Sequence, residues 1–381
     1  MRECDVLVVG GGPAGSSCAR ALLAAGADVL VVDRAAFPRD KVCAGWITPA
    51  VVDALQIDLD EYARGRTLQP FRAFRTGTLD GPRRETTFGE IVSYGIRRCE
   101  FDHYLLERSG AQVVERQPVR SIRRDGDAWI VDEQFRARML VGAGGHFCPV
   151  ARALNADQPQ EEVIVAQEIE FRLDPEQAAG CRVAPECPDL FFWPDLRGYG
   201  WCVRKGDYLN VGVGRLAEGG FPAVVRRFAD LVDRLGIVPG GVPSPWKGHA
   251  YLIHTASRRR VVDDGVVLVG DAAGLALAPS GEGILTAIES GLAAAEVVAA
   301  AGARRDREAL GSYERWIDAR IGPRGRPGIW VHLPGWVLNL GARAVLGSGW
   351  LTRRVLIEDG FLHTRRPPFT PWRPSPDAAR P

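Results

Sequence analysis

Residues 1–33 constrain the fold of this chain more than any other stretch. An apolar run, Val6–Val9, leads into Gly10-Gly11-Gly12-Pro13-Ala14-Gly15. An Ala- and Leu-rich segment then runs to Ala25, Gly26 stops it, and a second apolar run ends at Asp33. The order predicts a strand, a helix from Pro13 and a second strand, with the G-x-G-x-x-G spacing of a dinucleotide-binding loop. Gly10 permits the tight turn, Gly12 lets the backbone approach a pyrophosphate, and Gly15 lets the helix pack close to the sheet. Pro13 and Ala14 open that helix, where unpaired N–H groups and the positive end of the dipole favour an anion. Asp33 is positioned to accept hydrogen bonds from ribose hydroxyls. Arg34, Arg39 and Lys41 follow as candidates for holding phosphate.

A second region selects among dinucleotides. Asp264-Gly265-Val266-Val267-Leu268-Val269-Gly270-Asp271-Ala272-Ala273-Gly274 is an apolar strand closed by an acid, and Pro279-Ser280-Gly281-Glu282-Gly283-Ile284 follows it. Asp271, just past the strand end, suits a ribityl hydroxyl. Gly281 and Gly283, opening a helix at Ile284, offer N–H groups to a flavin pyrimidine edge, and a helix N-terminus there stabilises the anionic reduced ring. Together the two motifs point to FAD.

At these residues the chain is similar to the FAD-dependent geranylgeranyl reductase family. That family lies within the para-hydroxybenzoate-hydroxylase-like flavoproteins, which also contain monooxygenases and halogenases. Beside the two fingerprints, the resemblance rests on Phe37-Pro38-Arg39-Asp40-Lys41-Val42-Cys43-Ala44-Gly45-Trp46, on Arg98-Cys99-Glu100-Phe101-Asp102, and on Ala287-Ile288-Glu289-Ser290-Gly291. A weaker likeness is Tyr199-Gly200-Trp201-Cys202-Val203-Arg204 with Asn210-Val211-Gly212-Val213-Gly214.

The resemblance implies an α/β fold with a discontinuous Rossmann-like FAD-binding domain over residues 1–60, 95–155 and 260–300. It implies a mostly antiparallel β-sheet substrate domain over 61–94 and 156–259, and a helical C-terminal region over 301–381. In the first domain a helix is expected at Phe101–Ser109, short strands at Val113–Val114 and Val119–Ile122, and a glycine-rich return loop at Leu140–Gly145. In the second, strands are expected near Val163–Phe171, Leu190–Trp193 and Leu209–Val213. Cys43 and Ala44 would lie by the flavin with Arg98, and Cys43 would be the proton donor. Phe191, Phe192, Trp193, Tyr199 and Trp201 are candidate walls of the substrate cavity, with Tyr199 and Trp201 taken as part of the catalytic site. Trp46 stands where the family has a smaller residue, which implies a narrower cavity.

The implied activity is reduction of carbon–carbon double bonds in a hydrophobic, isoprenoid-like substrate by FAD. NAD(P)H, docking without a Rossmann domain of its own, would reduce the flavin. Two alternatives stay open: a flavin monooxygenase or halogenase acting on an aromatic or carrier-bound compound, and a non-catalytic flavin-binding or membrane-associated interaction protein. Against a halogenase, Tyr199 to Arg204 matches the W-x-W-x-I-P pattern only at Trp201 and Val203.

Composition narrows the partners. With 381 residues, 46% of them hydrophobic, the chain can bury a large core, and a formal net charge of +1 gives no electrostatic reason to expect nucleic acid. The run Arg258-Arg259-Arg260 is expected to be solvated surface. Eight cysteines without C-x-x-C pairs, behind no secretory signal, predict free thiols, no metal and a cytoplasmic setting. His249 and His254 are conceivable acids, but a lone histidine is more often structural. Between Ile329 and Leu351 an apolar run is interrupted by His332, Pro334, Asn339 and Arg343, so no transmembrane helix is expected. Trp330, Trp336 and Trp350, followed by Arg353-Arg354, make that region a candidate for peripheral membrane contact, beside the plainer reading of a helical cap.

Overall fold

The computed structural model describes residues 1–158, 161–217, 219–325 and 333–370. Continuous apolar runs suit parallel strands buried on both faces. Val6–Val9, Val29–Val32, Met139–Val141 and Val266–Leu268 are such runs, all buried. They belong to an eight-stranded sheet ordered Val262–Asp263, Val266–Leu268, Phe135–Gly142, Arg2–Val9, Val29–Val32, Gln112–Val114. An antiparallel hairpin, Ile122–Asp125 with Ala128–Val131, attaches to Phe135–Gly142. Arg2–Val9 pairs in parallel with Val29–Val32 on one side and Phe135–Gly142 on the other. Its carboxyl end is therefore a switch point, where such sheets leave a crevice for ligands.

Two helices begin at that crevice. Pro13–Ala24 connects the first two strands, and Ile284–Ala301 packs along it. The approach is close: a Cβ at Gly291 would stand 2.3 Å from the Ala14 carbonyl oxygen. Ile284–Ala301 is apolar enough to cross a membrane by composition, but most of it is buried and it serves as a core helix.

A seven-stranded sheet faces the crevice from the other side. Its order is Lys247–Tyr251, Ile164–Arg172, Tyr208–Leu216, Gly198–Lys205, Asp189–Phe192, Ala73–Thr78, Arg83–Thr87. All its pairings are antiparallel except that of Asp189–Phe192 with Ala73–Thr78. A three-stranded sheet, Trp46–Ile47, Ser93–Ile96 and Leu68–Phe71, lies beside the Arg98–Ser109 helix in sequence and carries the chain out of the Cys43 loop.

Several expectations need correction. Phe191 and Trp193 are not cavity walls. Alternation along the strand turns Phe191 away, and both rings pack on Phe228 of the Phe221–Arg234 helix, at 5.6 and 6.3 Å between centroids. The strand expected from Val119 starts at Ile122, because the Arg120 and Ser121 N–H groups donate to the Asp132 carboxylate instead of a ladder. Arg259 is not a solvated cation; its guanidinium donates to Glu161 at 2.9 Å and to the Ala272 carbonyl. The chain beyond 301 is not one separate region. Leu310, Tyr313 and Ile317 join the core of the first sheet, and the Tyr313 hydroxyl donates to the Leu268 carbonyl at 2.9 Å.

Farther on, helices Gly335–Gly347 and Gly349–Leu351 lead into a π-helical segment, Thr352–Phe361. Ile357, Phe361 and Leu362 of this tail pack with Trp46, Phe74 and Tyr199. Trp330, His332 and the chain after residue 370 lie outside the described residues. All eight cysteines are unpaired.

Candidate active site

Both sequence motifs and the second sheet meet around a single cavity of about 580 Å³. Its walls include Gly10, Gly12, Pro13, Ala14, Asp33 and Arg34 from the first motif, and Asp271, Gly281, Gly283 and Ile284 from the second. Cys43, Ala44, Arg98, Tyr199 and Trp201 complete the set anticipated from sequence. Gly15 is the exception and lies beneath the surface. A Cβ there would stand 1.9 Å from the Gly10 carbonyl oxygen, so Gly15 seats the helix under the loop without lining the cavity.

The first motif is shaped by close backbone approach. Gly10 has φ of +116°, and a Cβ on it would meet the Ala143 carbonyl oxygen at 2.4 Å, where the neighbouring strand ends. Asp33 ties this loop to the second strand: its carboxylate accepts from the Gly11 N–H at 2.7 Å and the Ala35 N–H at 2.8 Å. Gly12 begins the helix with no side-chain cap on the first-turn N–H groups. Those donors face the cavity, which suits a pyrophosphate.

Charge is concentrated deeper in. Arg98 donates two hydrogen bonds to Asp102, at 2.8 and 2.9 Å, and Arg39 approaches the same carboxylate at 3.2 Å. Burial opposes the Arg98 charge, but Asp102 and the adjacent Cys43 sulfur outweigh it and raise its pKa. Burial, with Arg98 nearby, brings Lys41 down to about 8 despite Asp271. For Asp271 burial acts upward, yet His249, Lys41 and Arg98 together bring it down to about 2. The site therefore holds a firm carboxylate and a firm guanidinium, with a lysine that burial and Arg98 hold below its ordinary range.

The second sheet supplies the aromatic side. The Tyr199 hydroxyl donates to the Ser280 carbonyl, and a Cβ on Gly281 would strike the Tyr251 hydroxyl at 2.3 Å. Two tyrosines thus pin the loop of the second motif. The Trp201 indole crosses Gly212, where a Cβ would stand 2.3 Å from the ring, and its Nε1–H donates to Asn210 Oδ1 at 2.7 Å. Trp46 stacks obliquely on Phe361 at 5.6 Å, so the tail also forms wall.

His249, named from sequence as a conceivable acid and then set aside as structural, lines the cavity, as do His146 and Tyr251, which sequence reasoning did not name. His249 faces Asp271 at 3.7 Å, and burial lowers its pKa. Burial and Arg259 bring His146 down to about 4. No motif marks these residues, although His249 and Tyr251 alternate on one strand two residues apart, the spacing of one sheet face. His254, by contrast, is buried against the Gly322 carbonyl at 2.6 Å.

An FAD-shaped demand fits these residues. The uncapped helix start, the Gly10 and Gly281 backbones at positive φ and the two acids at strand ends are what its phosphates, flavin edge and hydroxyls require. A family model described as an FAD binding domain matches residues 3–320. The chain is 30% identical over 348 residues to a digeranylgeranylglycerophospholipid reductase of Methanothrix thermoacetophila, covering 83% of this chain and 84% of the relative. It is 30% identical over 327 residues to a menaquinone reductase of Mycobacterium tuberculosis, covering 78% and 76%. A geranylgeranyl bacteriochlorophyll reductase-like structure from Thermoplasma acidophilum superposes with a TM-score of 0.73 at 21% identity, over 95% of this chain and 97% of that one.

Proposed function

This chain belongs to the FAD-dependent geranylgeranyl reductase family and is an FAD-dependent oxidoreductase, and from that premise we propose that it reduces carbon–carbon double bonds of a hydrophobic substrate bearing an isoprenoid chain, with NAD(P)H as electron source. The observation that carries this reading is the apposition of Cys43 to an aromatic wall, Trp46, Tyr199, Trp201 and Phe361, in the same cavity as both FAD motifs. Such walls suit an apolar chain.

Bound FAD supplies hydride transfer. The chain's own residues do the rest. Gly10 to Ala14 would hold the pyrophosphate, Asp33 and Asp271 would orient hydroxyl groups, and the backbone opening the helix at Ile284 would take the flavin edge. Tyr199, Trp201 and Phe361 exclude water from the reacting face. Cys43 holds a proton at Sγ for the substrate carbon, and the Arg98 guanidinium lies against that sulfur. Trp46, wedged between Phe74 and Phe361, narrows the cavity and favours a slender substrate.

A membrane surface is the partner we assign to this enzyme, reached from the cytoplasm. In the Gly335–Gly347 helix Leu338 and Ala342 are buried, while Trp336, Leu340 and Arg343 are exposed at i, i+4, i+7 spacing. Trp350 is exposed beyond that helix, and while Arg353 and Arg354 pair with Glu358, Arg343 stays on the exposed face with the aromatic and aliphatic side chains. Tryptophan, leucine and arginine on one face suit the interface of an anionic bilayer.

The test is product mass. FAD-loaded protein with NADPH and a panel of polyprenyl and aromatic compounds, without oxygen, is expected to add two hydrogens per double bond to a polyprenyl compound. A product formed only with oxygen, carrying an added oxygen or halogen, overturns the reading.

A further inference from the structure

Lys205 is a fully buried lysine with no part in the cavity wall. Its side chain passes between two glycines to reach the backbone of the Cys43 loop. A Cβ on Gly45 would stand 2.5 Å from its Nζ, and one on Gly95 2.8 Å from its Cγ. The ammonium donates to the Ala44 carbonyl and the Ile96 carbonyl, each at 3.1 Å, and pairs with Glu170 at 2.5 Å. Glu170 is held in turn by Arg97 at 3.0 Å.

Two neighbours on the same sheet grip the adjoining residue. Asn210 Nδ2–H donates to the Cys43 carbonyl at 3.2 Å, while its Oδ1 accepts from Trp201. Glu168, 6% exposed, faces the Cys43 N–H and keeps Oε2 without a partner. A buried cation, a carboxamide and a carboxylate thus converge on three consecutive peptide groups. Leaving such groups buried is costly unless each is used, and here the use is the Cys43 loop.

We propose that Lys205, Asn210 and Glu168 are positioning residues that fix the Cys43 thiol in the site and, through the opposed charges of Lys205 and Glu168, set its reactivity. The proposal rests on the reading of Cys43 as proton donor but is tested without turnover. The charged and titratable groups facing Glu168 are Lys205 and Glu170 from the sheet and Lys247 from the neighbouring strand, while Cys43 meets it through its backbone N–H. The Cys43 thiol itself faces Arg98, Lys41 from its own loop, and Tyr199 and Tyr251 from the sheet, all of them unchanged in the variants below.

The experiment follows alkylation of Cys43 by iodoacetamide in FAD-loaded protein from pH 6 to 10, read peptide by peptide by mass spectrometry. Lys205→Met removes the cation and is expected to move the midpoint up by about one pH unit; Glu168→Gln keeps the shape, removes the anion, and is expected to move it down. Shifts in opposite directions are not what general loosening produces. Should Lys205→Met fail to retain FAD, Asn210→Leu with Glu168→Gln supplies the test, the first accelerating alkylation at every pH and the second moving the midpoint. Midpoints equal to the parent protein's in FAD-loaded variants, or shifts in the same direction, overturn the proposal. A reductase assay that fails while the midpoints move as stated would overturn the function reading and leave this one standing.

Discussion

At the scale of single residues, the site rests on where a side chain is forbidden. Gly15 faces the Gly10 carbonyl oxygen at a distance no Cβ tolerates, and the obstacle is backbone, so the helix itself must move. Gly15→Ala is expected to lower stability by about 2–3 kcal/mol and to weaken FAD retention, read by thermal unfolding and the 450 nm to 280 nm absorbance ratio. Lys41 gives a pH signature. Its folded pKa, about 8, lies below the ordinary 10.5, so the unfolded chain binds more protons between these values. Stability of the FAD-free protein should therefore rise from pH 8 toward 10.5 relative to Lys41→Met, with the two curves parallel below pH 8. The glycines, Asp33 and Asp271 were legible in sequence because each acts through its immediate neighbours. The roles of Lys205, Asn210 and His249 were not, even where the residue itself was noticed, since their partners Ala44, Cys43 and Asp271 are brought to them only by tertiary packing.

At the scale of elements, the two helices that begin at the cavity are clamped together. A Cβ on Gly291 would strike the Ala14 carbonyl oxygen and crowd the Cys18 backbone nitrogen, so the start of Pro13–Ala24 is located by the middle of Ile284–Ala301. Gly291→Val is expected to push these helices apart, costing about 3 kcal/mol and reducing FAD content even though residue 291 does not line the cavity. Unchanged flavin content in a folded variant would count against the clamp. Buried parallel strands and the first helix were readable from apolar runs ended by glycine. The π-helical segment Thr352–Phe361 carries no such signal, and its place against Trp46 and Tyr199 follows from tertiary packing alone. Phe191 and Trp193 show the limit of composition: an aromatic strand signals burial, but which face is buried against what depends on the Phe221–Arg234 helix.

At the scale of the whole molecule, one tail serves two surfaces. Phe361 closes the cavity while Trp336 and Trp350, each 69% exposed, look outward. The protein is therefore expected to float with vesicles of phosphatidylglycerol and phosphatidylcholine, to do so less in high salt, and to lose most of that binding in the double variant Trp336→Ser, Trp350→Ser. Equal recovery of the variant would place the contact elsewhere. The central claim is that electrons held by the flavin leave to an alkene and not to oxygen. It is tested most directly by bleaching the flavin of the loaded protein under strict anaerobiosis, removing excess reductant, and mixing with a polyprenyl lipid. The account predicts recovery of the 450 nm absorbance together with loss of one double bond per flavin; an absorbance that stays bleached across the lipid panel until oxygen is admitted would contradict it.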